Sequence, residues 1–250
     1  MIGINGTPWF DLEPYLDMDS LEKQKHLIAM GLVLSNQYRA PTVGVQGIFH
    51  DQSMLELGDF AKKIMEDPEY EHKDILNILK SRSNIRMFCK YMYPTVALND
   101  AIHLNTVKGG LDYWNKHLAS ECVDTPAYKY FGFLRKWIND QKIFSEVGRV
   151  IFFINEPGVQ VVKHRDYPDG KSHRDNMMWI SLDKRKNFWI WDDETKEKHY
   201  TTSRALIFDN GDWHGVDPTE YMGWSLRVDG IYSDEFLEKS GLTKWFEKHE

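Results

Sequence analysis

Between Val147 and Tyr232 short apolar runs alternate with turn residues, and this pattern limits the possible folds of that half more than any other feature of the chain. Arg149 to Asn155 is followed by Glu156-Pro157-Gly158 as a turn and then by Val159 to His164, which predicts a hairpin. Further strands are predicted at Met177 to Leu182, Asn187 to Trp191, Glu197 to Thr201, Arg204 to Phe208 and Ser225 to Tyr232. Asp, Gly, Asn, Lys or Pro bounds each of them. So many short strands in so little chain point to a sandwich or barrel.

Before about residue 145 the periodicity is helical. Ser20 is placed to cap a segment carrying Leu21, Ile28, Leu32 and Val33, and Ser53 one carrying Met54, Leu57, Phe60, Ala61 and Ile64. A third segment covers Lys73 to Lys80. Between Pro126 and Gln141, Tyr130, Phe131, Leu134, Trp137 and Ile138 recur at three- and four-residue intervals, an amphipathic helix of about four turns. Asp234 to His249 returns to helix, with Gly241 as a break. The expected class is α+β, with a helix-rich region 1–145 packed on a strand-rich region 146–250, the two forming one structural unit.

Of 250 residues, 31 are Lys or Arg and 38 Asp or Glu, a net charge of -7 that offers no general attraction for a duplex phosphate backbone. A hydrophobic share of 42% excludes wholesale disorder. The apolar runs, such as Val150 to Ile154, fall far short of the roughly 20 residues of a membrane span, and the first residues lack a signal peptide's basic start and apolar core. Two cysteines, Cys89 and Cys122, make no disulfide framework. A cytoplasmic protein with reduced thiols is the expectation. No G-x-G-x-x-G, P-loop, G-x-S-x-G, H-E-x-x-H or C-x-x-C pattern occurs, which removes the usual sequence support for dinucleotide, nucleotide-phosphate, serine-hydrolase and zinc-protease chemistry.

The chemistry concentrates in three places in the strand-rich half. His164 and Asp166 stand two apart at the end of VQVVKHRD, where the period of two aims an imidazole and a carboxylate at one point. Alone, such a pair is most simply a strand-end hydrogen bond. ALIFDNGDWHGVDP then supplies an apolar strand, a polar turn and His214, which a neighbouring strand can bring to the first pair. Two imidazoles and one carboxylate make the facial triad of a non-haem Fe(II) site, with positions left open for co-substrate and dioxygen. Arg227, in GWSLRVDG, adds a planar guanidinium whose fork matches a carboxylate in bidentate geometry.

Together these segments resemble the 2-oxoglutarate and Fe(II)-dependent dioxygenase superfamily, whose pattern is His-x-Asp, a distal His and a basic residue some way beyond it. The resemblance covers about residues 147–232. It implies a double-stranded β-helix, a jelly-roll barrel related to the cupins, with His164, Asp166 and His214 holding Fe(II) and Arg227 pairing with the far carboxylate of 2-oxoglutarate. Ser225, two residues earlier on the same strand, would add a hydrogen bond. The implied reaction uses O2 to hydroxylate an unactivated C–H bond and releases succinate and CO2.

The tripeptide His-Arg-Asp recurs as His173-Arg174-Asp175 after the Tyr167-Pro168-Asp169-Gly170 turn. The first copy is preferred because it follows the long apolar strand directly. The aspartyl/asparaginyl-hydroxylase-like branch carries an Arg shortly after its first His to assist 2-oxoglutarate binding, a place that Arg174 would fill. Asp212, Asn210 and Trp213 are candidates for orienting the His214 ring. Trp114, Tyr128, Tyr130 and Trp137 are candidate pocket residues, with core packing the favoured reading. The substrate is expected to be an amino-acid or polypeptide side chain, or else a small molecule. Two other functions fit the same residues: a cupin-like metal enzyme that does not use 2-oxoglutarate, and a non-catalytic jelly-roll binding module.

Overall fold

The structure, a computed structural model, describes residues 3–42, 99–107, 122–165, 176–182 and 187–247. Its fold is mixed α and β, built on antiparallel sheets. The segments predicted to be helical after Ser53 and over 73–80 lie outside the described residues.

The strands are β1 (Trp9–Asp11), β2 (Ala40–Thr42), β3 (Asn99–His103), β4 (Asn105–Val107), β5 (Cys122–Asp124), β6 (Phe144–Asn155), β7 (Val161–His164), β8 (Met177–Ser181), β9 (Phe188–Asp192), β10 (Glu197–Tyr200), β11 (Ala205–Phe208), β12 (His214–Val216) and β13 (Gly223–Tyr232). A seven-stranded sheet runs in the order β1-β11-β8-β13-β6-β3-β2. A four-stranded sheet runs β10-β9-β12-β7, and β4 pairs with β5. From β6 onward the described strands alternate between the two large sheets, except that β9 and β10 are direct neighbours in the smaller one.

The hairpin predicted around Glu156-Pro157-Gly158 is therefore a crossing. The turn exists, closed by the Val159 N–H donating to the Glu156 carbonyl at 3.1 Å. However, β6 pairs with β13 on one side and β3 on the other, so neither of its edges is open to β7. β7 instead pairs with β12 in the other sheet. β6 also starts earlier than predicted, at Phe144, because the polar residues Ser145 and Glu146 are exposed yet continue the ladder with β13 across two register shifts. β1, β2 and β3, from the first hundred or so residues, extend the seven-stranded sheet at both edges, and no strand was predicted in those segments.

Alternation gives each face of the seven-stranded sheet its own core. Val150, Phe152, Met178, Ile180, Ile207, Leu226 and Val228 point to the helical side, where they meet Ile28, Leu134, Trp137, Phe236 and Trp245. Each such side chain, fully buried, is worth about 1.5–3 kcal/mol. Met177, Trp179, Leu206 and Phe208 belong to a second cluster with Phe188, Ile190 and Val216 of the four-stranded sheet. That cluster fills the space between the sheets.

The helices are α1 (Met18–Lys23), α2 (Lys25–Leu34), α3 (Gly132–Asp140), α4 (Asp234–Ser240) and α5 (Thr243–Glu247). The cap of α1 is Asp17 rather than Ser20: the Asp17 carboxylate accepts the Ser20 N–H at 2.9 Å, and its charge complements the helix N-terminus. α3 is shorter than predicted because Tyr128–Tyr130 ahead of it forms a separate 3-10 turn. Gly241, at φ 72, ends α4 in the left-handed conformation and separates it from α5, in line with the predicted break. No described helix is long and apolar enough to cross a membrane.

Candidate functional site

His214 begins β12, and its Cα partner on β7 is His164. The other neighbour of His214 is Ile190 of β9. A five-residue connection, Asp209 to Trp213, carries the chain to this point from β11 in the opposite sheet. It is held by the Gly211 N–H on Asp209 Oδ1 at 2.9 Å and the Asp212 N–H on the Asp209 carbonyl at 2.9 Å. Asp and Asn side chains that bond their own backbone in this way are what make such a short turn stable.

The His214 side chain is 4% exposed and sits against the inter-sheet cluster, its ring centroid 4.9 Å from Phe208 and 6.0 Å from Phe188. Its Nδ1 lies 2.8 Å from the main-chain carbonyl of Asp212. A carbonyl only accepts, so Nδ1 carries a proton, and Nε2 stands at the far edge of the ring. Of the candidates for orienting this imidazole, then, it is the backbone of Asp212 that does so. The Asp212 side chain accepts the Gly3 N–H at 2.8 Å, and burial, with the nearby Asp209, pushes its carboxyl up to about 6. Asn210 is buried, and Trp213 offers its ring to Arg165 at 4.6 Å and to Lys163 at 5.4 Å.

Gly215 explains how closely β12 approaches its neighbours. A Cβ at this position would lie 2.5 Å from Trp189 Cζ2 and 2.7 Å from the Val161 carbonyl oxygen. Only glycine lets the strand that carries His214 lie flat between β7 and β9.

Arg227 is on the inner face of the other sheet. Leu206, Trp179, Arg227, Ile151 and His103 form one row of register partners across β11, β8, β13, β6 and β3. Ser225, fully buried, lies on the same face two residues earlier, opposite Ser181 and Phe153. Asp229 lies two residues later, and its Oδ1 accepts from Arg227 Nε at 2.7 Å. Its Oδ2 accepts from Arg149 Nε at 2.8 Å and lies 2.7 Å from an Arg149 terminal nitrogen. Burial raises the affinity of the Asp229 carboxyl for a proton, but the Arg149 and Arg227 guanidiniums outweigh this and hold it below the usual carboxylate range. His103 is held neutral: burial first, then the charge of Arg149, lower its pKa from 6.5 to about 4.

The folding thus brings His164 and His214 to paired positions and turns His214, Ser225 and Arg227 toward the inter-sheet space. Asp166, His173, Arg174, Asp175 and Trp114 lie outside the described residues. Tyr128, Tyr130 and Trp137 are on the helical face of the seven-stranded sheet, where Trp137 Nε1 donates to the Asp17 carbonyl at 3.0 Å, so they are packing residues and not part of this space. An apolar cleft of about 160 Å³ on that face, between α2 and α3, is lined by Leu27, Met30, Leu34, Tyr130 and Phe133. Among the described residues no group of three His, Cys, Asp or Glu side chains is assembled as a metal cluster. Sequence reasoning missed Arg149, Asp229 and His103. Asp229 follows Arg227 at the same-face spacing of two and was legible as its partner, whereas Arg149 and His103 reach it only through strand pairings that the sequence does not specify.

No protein-family model matches the chain, and no curated protein matches it. Among solved structures it is similar to a Pseudomonas putida prolyl-4-hydroxylase, at 9% identity and a TM-score of 0.44, over 91% of this chain and 94% of that one. It is also similar to an oxidoreductase of the 2OG-Fe(II) oxygenase family from Burkholderia pseudomallei, at 11% identity and a TM-score of 0.34, over 54% of this chain and 69% of the other. A viral collagen prolyl hydroxylase from Paramecium bursaria Chlorella virus-1, in a 2OG complex, aligns at 13% identity and a TM-score of 0.28, over 58% of this chain and 85% of its own. These neighbours are hydroxylases and oxygenases by name. Likeness at this level transfers no residue roles, which have to come from the chain itself.

Proposed function

We propose that this chain is a non-haem Fe(II)- and 2-oxoglutarate-dependent oxygenase that hydroxylates an unactivated C–H bond of an amino-acid or polypeptide side chain. The observation that carries the reading is the pairing of His164 with His214, residues far apart in sequence that occupy opposite positions on β7 and β12. The strand order supports a double-stranded β-helix. Numbered from β6 as one to eight, the sheets read 6-3-8-1 and 5-4-7-2, the alternation of a jelly roll.

His164, Asp166 and His214 would hold the iron. Imidazole and carboxylate donors suit Fe(II), and the Nδ1–H of His214 on the Asp212 carbonyl presets the tautomer that metal ligation by Nε2 needs. When bound, Fe(II) with 2-oxoglutarate and O2 supplies the oxidising power: one oxygen atom enters the C–H bond as hydroxyl, the other enters succinate, and CO2 leaves. The protein's own residues do the rest. Arg227 pairs with the far carboxylate of the 2-oxo acid, with Ser225 beside it and Arg174 as a further contact. Phe188, Phe208 and Trp179 wall the space between the sheets and keep water from it.

Anaerobic titration of the protein with Fe(II), then 2-oxoglutarate, tests the reading through the visible metal-to-ligand charge-transfer band of the ternary complex. A band saturating at one equivalent, and absent in His164→Ala and His214→Ala, is the expected result. Iron binding without a band would replace it with a cupin-like metal enzyme, and no iron binding would leave a binding module.

A further inference from the structure

We propose that Asp229 is a positioning residue and Arg149 a second anion-binding residue: Asp229 holds the Arg149 and Arg227 guanidiniums side by side between the sheets, and the two together take the distal carboxylate of a 2-oxo dicarboxylate. This rests on the function proposed above and adds two residues to it.

The geometry of the trio carries the inference. One carboxylate divides its oxygens between two arginines, Oδ1 to Arg227 Nε and Oδ2 to Arg149. All three side chains are largely out of water, with exposures of 14% for Arg227, 14% for Asp229 and 19% for Arg149, so the hydrogen bonds are short, charge-assisted and fixed in direction. An Nε–H bond to Asp229 locks the plane of the Arg227 guanidinium. A guanidinium held in one plane in this way presents a planar array of donors that matches a carboxylate better than a freely rotating one.

The surroundings suit an anion with an apolar body. Trp179 and Ile151 flank Arg227 on the neighbouring strands, and His103 follows Ile151 in the same row. A neutral His103 adds no competing cation next to Arg149 and keeps a donor or acceptor at the end of the row. Two guanidiniums held on one carboxylate set a fixed spacing for a planar, doubly bonded ligand group, which a single flexible Arg does not.

The test is anaerobic calorimetric titration of the Fe(II)-loaded protein with 2-oxoglutarate and with 2-oxobutyrate, which keeps the 2-oxo acid head and lacks the distal carboxylate. Arg149→Met and Asp229→Asn are each expected to weaken 2-oxoglutarate by about tenfold or more and to leave 2-oxobutyrate within about twofold. Arg149→Lys, which keeps the charge but not the planar fork, is expected to lower the preference for 2-oxoglutarate in the same direction and serves if Arg149→Met does not fold. Variants that keep the wild-type preference, or that weaken both ligands equally as a purely structural ion pair would, overturn the proposal and leave the function standing. A wild-type protein that does not prefer 2-oxoglutarate to 2-oxobutyrate overturns both.

Discussion

The His214 imidazole donates its Nδ1–H to the main-chain carbonyl of Asp212 and not to the Asp212 carboxylate, which is occupied by the Gly3 N–H. The acceptor that sets the tautomer therefore survives any change of the Asp212 side chain. Asp212→Ala is expected to leave Fe(II) affinity within about threefold of wild type, where loss of a side-chain partner to a metal-bound histidine costs 10–100-fold. Its effect should appear instead in stability, where release of the Gly3 segment costs about 1 kcal/mol and removal of a carboxylate whose ionisation burial disfavours offsets part of it. Metal titration beside denaturant unfolding separates the two, and a tenfold or greater loss of iron affinity would contradict the assignment of the acceptor.

Most strands of the second half were legible because they bury one or both faces and so show a period of two or a continuous apolar run; β10 is largely exposed, and the three-residue β12 was not predicted as a strand. Phe152, Ile180, Leu226 and their neighbours are read correctly for that reason. Pairing was not legible: nothing local in Glu156-Pro157-Gly158 distinguishes a hairpin from a crossing, because the choice depends on β3 and β13 occupying both edges of β6. β1 and β2 were missed because three residues are too short to display a period, and β3, NDAIH, because it opens on two polar residues and shows neither an alternation nor an apolar run. At the site, His214 and Arg227 were visible from residue type and strand context. Arg149 was not, since its partner Asp229 is 80 positions away and only the β6–β13 ladder joins them.

Gly215 is required by sterics alone. A methyl group there would meet Trp189 Cζ2 at 2.5 Å and the Val161 carbonyl at 2.7 Å, and neither an indole packed on Lys198 and Asp217 nor a strand backbone yields easily. Gly215→Ala is expected to destabilise the protein by about 1–3 kcal/mol and to lower iron affinity, because β12 would be pushed from β7. Urea unfolding and metal titration of the same variant check both effects. Stability within about 0.5 kcal/mol of wild type would mean that the strands are not so closely packed.

His103 gives the fold a pH dependence of known sign. Its pKa falls from 6.5 in the unfolded chain to about 4 in the folded one, so the unfolded state takes up the proton first as pH drops. Its favourable contribution is complete above pH 6.5 and is lost progressively toward pH 4, a change of about 3 kcal/mol if the burial holds throughout. Asp212, with its carboxyl pushed up to about 6, titrates in part of the same window with the opposite sign. The informative quantity is therefore the difference between wild type and His103→Gln, in which Asp212 cancels. His103→Gln is expected to gain on wild type as unfolding is measured from pH 7 down to pH 4.5, and parallel curves would show that His103 is not held neutral.

Asp217 fastens the four-stranded sheet from its outer face. It accepts from Trp189 Nε1 at 2.9 Å, from Lys198 Nζ at 2.7 Å and from the Tyr200 hydroxyl, tying β9 and the edge strand β10 to the end of β12. Burial raises its pKa, and the bonds from Lys198, Tyr200 and Trp189 more than reverse this, so its contribution is present above about pH 4 and is lost as pH falls through the lowered folded value. Because Lys198 is 36% exposed, the ion pair itself is worth at most about 1 kcal/mol, and the larger cost of Asp217→Ala is the Trp189 N–H left buried with no acceptor. The variant is expected to lose about 2 kcal/mol at pH 7. In hydrogen exchange the amides of β10 should open faster, while those of β8 and β13 in the other sheet keep their wild-type protection relative to the new global stability. Uniform loss of protection across both sheets would instead mean that the outer-face cluster stabilises the whole fold and not one edge of it.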